Sequence, residues 1–421
     1  MTTVLSAAPA NTETIAPPVR ARRVAVVFAA LIAALVVATV VSVTVGSVTV
    51  PLGETLRVLL GQDAQNPRWG MVIRDLRLPR TLTAITVGAA LGIAGLQMQT
   101  LFRNALADPY ILGASSGASL GVALVVVAGG GGASGFTANL AGLGRTGVVI
   151  AAALGAAAVL MMIVVLSRWV RSAVTLLLIG VMLGSATTAV VSVLLVYADP
   201  QRAQQFLVWG LGSFTATTWS DLKLLVPVVV AGIVIALLTV RALNALLLGE
   251  GYARSMGIDI RVVRLTTVVS AALLAGVTTA FCGPIGFLGL IVPHLSRMAF
   301  GTSDHRVLLP GVALFGAVVA LVCGVASQMP GTDTVFPLNA VTALVGAPVV
   351  IVVLVRSGVE HWERPCEQPR PCERCGTARC DDRLYTSPRV AEEWHHRDRD
   401  RSRRRRSPRG AHRTGRSQRR G

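Results

Sequence analysis

The chain is a series of apolar runs long enough to cross a lipid bilayer, separated by short polar breaks. The first run, residues 24–45, reads VAVVFAALIAALVVATVVSVTV, 22 residues without a charge. About 20 apolar residues span the hydrocarbon core of a membrane. A secretory signal has a shorter apolar segment and a small-residue cleavage site, so this run is expected to be retained as a span. Nine further apolar segments follow, near residues 81–101, 110–128, 147–167, 173–196, 222–242, 262–282, 285–299, 307–327 and 335–355. The pattern predicts an all-α, polytopic membrane protein of about ten transmembrane helices, because a helix satisfies its own backbone polar groups in lipid. The segment at 285–299 is short and holds Pro293, so it is expected to cross only in part.

Residues 87–122, VGAALGIAGLQMQTLFRNALADPYILGASSGASLGV, depart from a plain span. An apolar helix breaks at a polar hinge (Arg103, Asn104, Asp108, Pro109) and resumes as a helix dotted with Gly and Ser. Small residues let helix backbones approach, and Gln, Asn and Ser place polar groups inside an apolar bundle. Gln97, Gln99, Ser115, Ser116 and Ser119 are therefore candidates to line a passage, with helix-to-helix bonding as the alternative. No intramembrane carboxylate stands out as a proton relay, which argues against a proton-coupled carrier. A loose internal echo links residues 101–121 with 299–317; transporters often contain such repeats.

Composition sharpens this picture. The chain is 53% hydrophobic and 14% charged, with a mean hydropathy of +0.64, whereas globular proteins are about 25% charged. The net charge of +18 is uneven: +10 over residues 1–358 and +8 over the much shorter 359–421. Three regions follow: an Ala-, Thr- and Pro-rich N-terminus (1–19) expected to be disordered, a transmembrane domain (20–358), and a basic tail (359–421) expected to be disordered. The tail admits attraction to nucleic acid or anionic lipid, a solvated extension, or an out-of-frame C-terminus. Disorder without a transport role is preferred, and no nucleic-acid partner is expected. Cys282 and Cys323 lie in apolar segments. The other four cysteines sit in the tail with a single short-spaced couple, Cys372 and Cys375, too few for a four-cysteine zinc site. No metal or cofactor is expected. With the amino terminus inside, 13 basic residues flank inner span ends and 8 flank outer ends, which places both termini in the cytoplasm.

The chain has no phosphate-binding loop: its single lysine, Lys223, lies in SDLKLL with no glycine loop before it. It is expected to be no enzyme, and any pumping must be powered by a partner. The block GPIGFLGLIVPHLSRMAFGTSDHRVLLPGVALFGA (283–317), with RLPRTL (77–82), NALADPYILGASSGASLG (104–121) and VTALVGAPVV (341–350), closely resembles the permease subunit of the iron-siderophore, heme and vitamin B12 family of ABC importers. The resemblance covers roughly residues 24–356.

That resemblance implies a type II ABC importer permease fold in the bacterial cytoplasmic membrane. Two permease subunits, as a homodimer or heterodimer, would enclose one path. A cytoplasmic ABC ATPase dimer would spend the ATP, and an extracellular or periplasmic binding protein would deliver the substrate. The segment LNALLLGEGYARSMGID (243–259) resembles the loop that inserts short helices into the ATPase, with Gly249, Glu250, Ala253, Arg254 and Gly257 as its candidate residues. Relatives usually carry a second acidic residue after Glu250; here it is Gly251. Arg77, with Arg80 beside it, matches a position that docks a carboxylate of the binding protein, a task suited to the guanidinium fork. Ser172 and Ala173 fall where the family places its cytoplasmic gate. His294 and His305 are read as structural groups bonding backbone at helix ends. The expected cargo is a ferric siderophore, with heme or cobalamin next. A secondary carrier and a membrane-anchored scaffold are the rival classes.

Overall fold

The computed structural model describes residues 18–46, 50–128, 145–167, 169–170, 173–328 and 335–363. Among them every regular element is helical. Helix α1 is Pro18–Thr44, α2 Leu52–Leu59 and α3 Pro67–Met71; a π-helical turn, Val72–Arg77, runs directly into α4, Leu78–Phe102. A 3-10 turn, Pro109–Leu112, precedes α5, Ala114–Ala128. Then come α6 (Arg145–Ser167), α7 (Ala173–Val196), α8 (Pro200–Gly210), α9 (Trp219–Leu247) and α10 (Glu250–Ser255). The chain continues with α11 (Ile260–Cys282), α12 (Leu288–Phe300), α13 (His305–Ser327) and α14 (Leu338–Glu363).

Seven helices are long and apolar enough to cross a membrane: α1, α4, α6, α7, α9, α11 and α13. Three shorter apolar helices, α5, α12 and Leu338–Val352 of α14, complete the ten segments read from the sequence. The segment read at 110–128 opens with the 3-10 turn. There Asp108 accepts the Tyr110 N–H at 2.8 Å, Pro109 occupies the first turn, and Gly113 at φ 81 ends it. These features stop the chain from continuing as a regular helix until Ala114. The short helices α2, α3 and α8 fall where no apolar run was read.

Helix α4 is the centre of the bundle and is buried along almost its whole length. It crosses α11, α12 and α13. Its glycines set the distance: a Cβ on Gly88 would collide with the Gly316 carbonyl of α13, and one on Gly95 with the Gly289 carbonyl of α12. Small residues are thus the condition for close crossing in lipid. The same device joins α5 to α6 through Gly117, Gly121 and Gly155.

Polar caps fix where helices begin. Asn66, Asp199, Asp259 and Asp304 each accept a backbone N–H two residues on, and Thr218 with Asp221 forms a full capping box on α9. Two ends of the bundle are thereby defined. One carries α2, α3 and α8, tied together where the Trp219 indole donates to the Arg74 carbonyl at 2.9 Å and the Asn339 N–H to the Leu211 carbonyl at 3.1 Å. The other carries α10.

The chain forms two compact units, Met1–Val353 and Leu354–Gly421. Of the second, only Leu354–Glu363, the end of α14, is described. The expectations for residues 1–17, for the basic tail and for its four cysteines lie outside the described residues. Cys282 and Cys323 are buried free thiols, small hydrophobes in their packing.

Candidate functional site

At one end, the predicted coupling segment folds as a single turn of helix between α9 and α11. Gly249 (φ 121) and Gly257 (φ 76) bracket α10 in conformations that side chains other than glycine resist. Ala253 is fully buried and anchors the turn. Glu250 reaches Arg254 at 3.6 Å along its own helix and Arg264 of α11 at 3.4 Å. Arg264 is itself buried and donates to the Val170 carbonyl, in the turn between α6 and α7, at 3.2 Å. Arg103, in a left-handed conformation at the end of α4, donates to the Leu246 carbonyl at 3.0 Å. Nothing lies within 4 Å of a Cβ built on Gly251. The outward surface is apolar: Leu247, Leu248, Tyr252 and Met256 are all exposed.

A buried polar network stiffens the ground beneath this segment. Asn244 of α9 accepts from the His305 backbone N–H at 2.9 Å, lies 2.7 Å from His305 Nδ1, and donates to Asp304 at 2.6 Å. His305 Nε2 meets the Thr100 hydroxyl at 2.8 Å. His305 is thus a structural group at a helix start, as read. Burial pushes the Asp304 carboxyl up, but the Arg306 N–H, the Asn244 amide and the Arg306 charge outweigh it and hold the group below the usual carboxylate range.

The polar residues chosen for the passage divide. Gln97 is fully buried and accepts from Ser270 of α11 at 3.1 Å. Gln99 is buried, donates to the Leu290 carbonyl at 3.1 Å and accepts from Arg297 at 2.7 Å. Both therefore bind helix to helix instead of lining an open surface. Ser115, Ser116 and Ser119 are half-buried on α5, and Ser116 donates to the Gly113 carbonyl at 3.1 Å. Ser172 lies outside the described residues, and Ala173 is the first residue of α7.

The sequence reading missed α7 itself. Ser185, Thr188 and Ser192 are exposed and share one face, at i, i+3 and i+7. Each donates its hydroxyl to the carbonyl four residues earlier, at 2.9 to 3.0 Å. Leu178, Val181 and Val196 continue the same uncovered stripe. The signal was present in the sequence as helically spaced hydroxyls within an otherwise apolar run.

Two further readings change at this level. Arg77 and Arg80, expected at a docking surface, are 4% and 9% exposed. Arg77 donates to the carbonyls of Val43 and Thr44 at 2.8 and 2.6 Å, and Arg80 to that of Ser42 at 2.8 Å. They satisfy the last carbonyls of α1, groups that have no partner within their own helix. Asp108, passed over as an intramembrane carboxylate, is buried, and its Oδ2 lies against Gly289 at the start of α12.

The end that carries α8 holds a cavity of about 690 Å³ between α8, residues 213–216 and the last turn of α11. Along the bundle, α6, α9 and α11 enclose a groove of about 590 Å³ lined by aliphatic side chains and Phe281. Among the described residues no cluster of His, Cys, Asp or Glu could hold a metal ion.

Comparison with known proteins matches this architecture. Residues 34–356 match the FecCD transport family. The hemin transport system permease HmuU of Yersinia pestis is 36% identical over 307 residues, 72% of this chain and 89% of HmuU. The vitamin B12 import system permease BtuC of Salmonella paratyphi A is 35% identical over 298 residues, 70% of this chain and 87% of BtuC. A solved structure described as an inward-facing conformation of a metal-chelate type ABC transporter superposes with a TM-score of 0.68 at 30% identity, over 79% of this chain and 99% of that one. The all-helical bundle, its glycine crossings and a match across most of the chain lead to one conclusion: the chain belongs to the FecCD transport family, as a permease subunit of an ABC importer and not an enzyme.

Proposed function

We propose that this subunit carries ferric siderophores across the bacterial cytoplasmic membrane, with the α10 end in the cytoplasm and the α8 end outside. The observation that carries the reading is α10. It is a short, ion-paired helix with an exposed apolar surface, set on a rigid base. Such a piece suits insertion into a cleft of a separate ATPase, since buried Tyr and Met side chains supply contact area and the glycine brackets and Arg264 transmit displacement to the bundle. A second copy or a related permease would cover the α7 stripe and enclose the path, and a binding protein would deliver cargo to the α8 end. Closure of the ATPase dimer would then shift the population between outward- and inward-open arrangements.

The test is uptake of radiolabelled ferric siderophore by a strain lacking this chain, and co-purification of an ABC ATPase with it. Unchanged uptake in the deletion strain would remove the siderophore reading. Reconstituted permease that moved cargo uphill without an ATPase would remove the importer mechanism altogether. A heme or cobalamin cargo is the second reading, favoured by the identity to the hemin permease HmuU and to the vitamin B12 permease BtuC.

A further inference from the structure

We infer that the cavity at the α8 end is a contact site for an uncharged metal chelate with an oxygen-rich rim. The inference rests on the importer reading above and narrows its cargo.

Gln201, Gln204 and Gln205 lie on one face of α8, at i, i+3 and i+4, and all three are exposed into the cavity. No side-chain hydrogen bond among the described residues engages their amides. An amide both donates and accepts, so three together can follow a rim of carbonyl or hydroxamate oxygens. Trp209, one turn beyond Gln205, also lines the cavity, and its indole N–H is buried without a partner among the described residues. A buried donor without an acceptor is costly and marks a place where an acceptor is expected. Ser213 and Thr215 complete the polar wall, their hydroxyls 2.7 Å apart.

The lining carries no charged side chain. The nearest acid along α8, Asp199, is engaged in capping the helix through the Gln201 N–H at 3.0 Å. Three hydroxamates neutralise a ferric ion, whereas three catecholates leave a trianion. Moving a trianion into a site without a cation forfeits its hydration and gains no ion pair. A neutral chelate exchanges hydrogen bonds with water for hydrogen bonds with amides at little cost. The cobalt corrinoids, neutral with an amide rim, share that chemistry; hemin, with two carboxylates, does not.

The frame is fixed before cargo arrives. The Ser213 N–H donates to the Cys282 carbonyl at 2.8 Å, joining the cavity wall to α11. Asn339 of α14 accepts from the Gly286 N–H at 2.8 Å and donates to the Gly210 carbonyl at 3.4 Å. A volume of about 690 Å³ falls within the range of small-molecule sites, roughly 300–1,000 Å³.

The experiment uses the full permease with its ATPase and binding protein in liposomes. It measures ATP-dependent uptake of a ferric trihydroxamate, cyanocobalamin and a ferric tris-catecholate. The trihydroxamate or the corrinoid should move, and whichever moves identifies the source; the catecholate should not. Gln205→Glu, close in size but anionic in the wall, should lower uptake of the neutral chelate about tenfold, and Trp209→Phe should lower it a few-fold, in line with one hydrogen bond to cargo. Gln205→Lys should restore part of the catecholate uptake and none of the neutral. Catecholate transport equal to the neutral chelates, or neutral uptake unchanged in both Gln205→Glu and Trp209→Phe, overturns the inference. Absence of ATP-dependent uptake of all three chelates by the wild-type complex overturns the importer reading on which it stands.

Discussion

The two ends of the bundle are built from different chemistry. At the α10 end, charge is paired and tied to backbone: Glu250 with Arg254 and Arg264, Arg264 with Val170, Arg103 with Leu246. At the α8 end, the open surface is amide and hydroxyl, and the charges present there, Arg77 and Arg80, are turned inward onto α1. The difference teaches where each kind of group is useful. Paired charge holds a fixed shape and passes on a push. Uncharged polar surface touches many cargoes and grips none of them tightly.

The largest effect is expected where that contrast is sharpest. Arg264→Met should leave the complex assembled and hydrolysing ATP while uptake falls by on the order of a hundredfold. It removes both the ion pair and the tie to Val170, and breaking a buried pair costs about 3–5 kcal/mol, reduced here because Glu250 is partly exposed. Paired assays of ATPase rate and uptake read this, and parallel loss of both would contradict it. Next, Arg80→Met should destabilise the detergent-solubilised subunit by about 2 kcal/mol, the scale of a charged hydrogen bond to buried backbone. Thermal unfolding measures it. If stability is unchanged and capture of the binding protein is lost, the arginine serves docking and the contrast between the ends dissolves.

Tyr252→Ser should weaken ATPase association about tenfold, the scale of removing one buried apolar side chain from an interface. Co-purification yield or titration of the ATPase reports it, and the same substitution should leave the subunit's own stability untouched because Tyr252 is exposed. The smallest effect concerns acid. Asp304 has a lowered folded pKa, so its contribution is fully present above the unfolded carboxylate value of about 4 and declines as pH falls through its folded value. Asp304→Asn should flatten the acid side of a stability–pH profile while leaving the neutral side little changed.

The spans were legible because each is an unbroken apolar run, and even the partial crossing of α12 was marked by its length and by Pro293. What could not be read was direction. Gln97 and Gln99 sit two residues apart in an apolar helix, and composition cannot say whether an amide meets a neighbour helix or a path. Arg77 and Arg80 show the same limit: a guanidinium that caps α1 and one that awaits a partner are written with the same letter. Their role is set by the C-terminus of α1, more than thirty residues away in the chain. The α7 stripe was the reverse case, visible in the spacing of Ser185, Thr188 and Ser192. The sequence reading weighed α7 by its apolar majority and passed over them. The Gln-rich face of α8 went unread because an eleven-residue amphipathic helix between spans resembles an ordinary linker.

The hydroxyls on α7 have a consequence for anything that slides past them. A hydroxyl has one proton, and Ser185, Thr188 and Ser192 each commit theirs to their own helix. What faces outward is lone pairs and methyl groups. A carbonyl-rimmed chelate leaving the donors of α8 would meet only acceptors along α7, like facing like. Such a wall behaves as a non-stick lining: cargo is held at the entrance and finds no foothold afterwards.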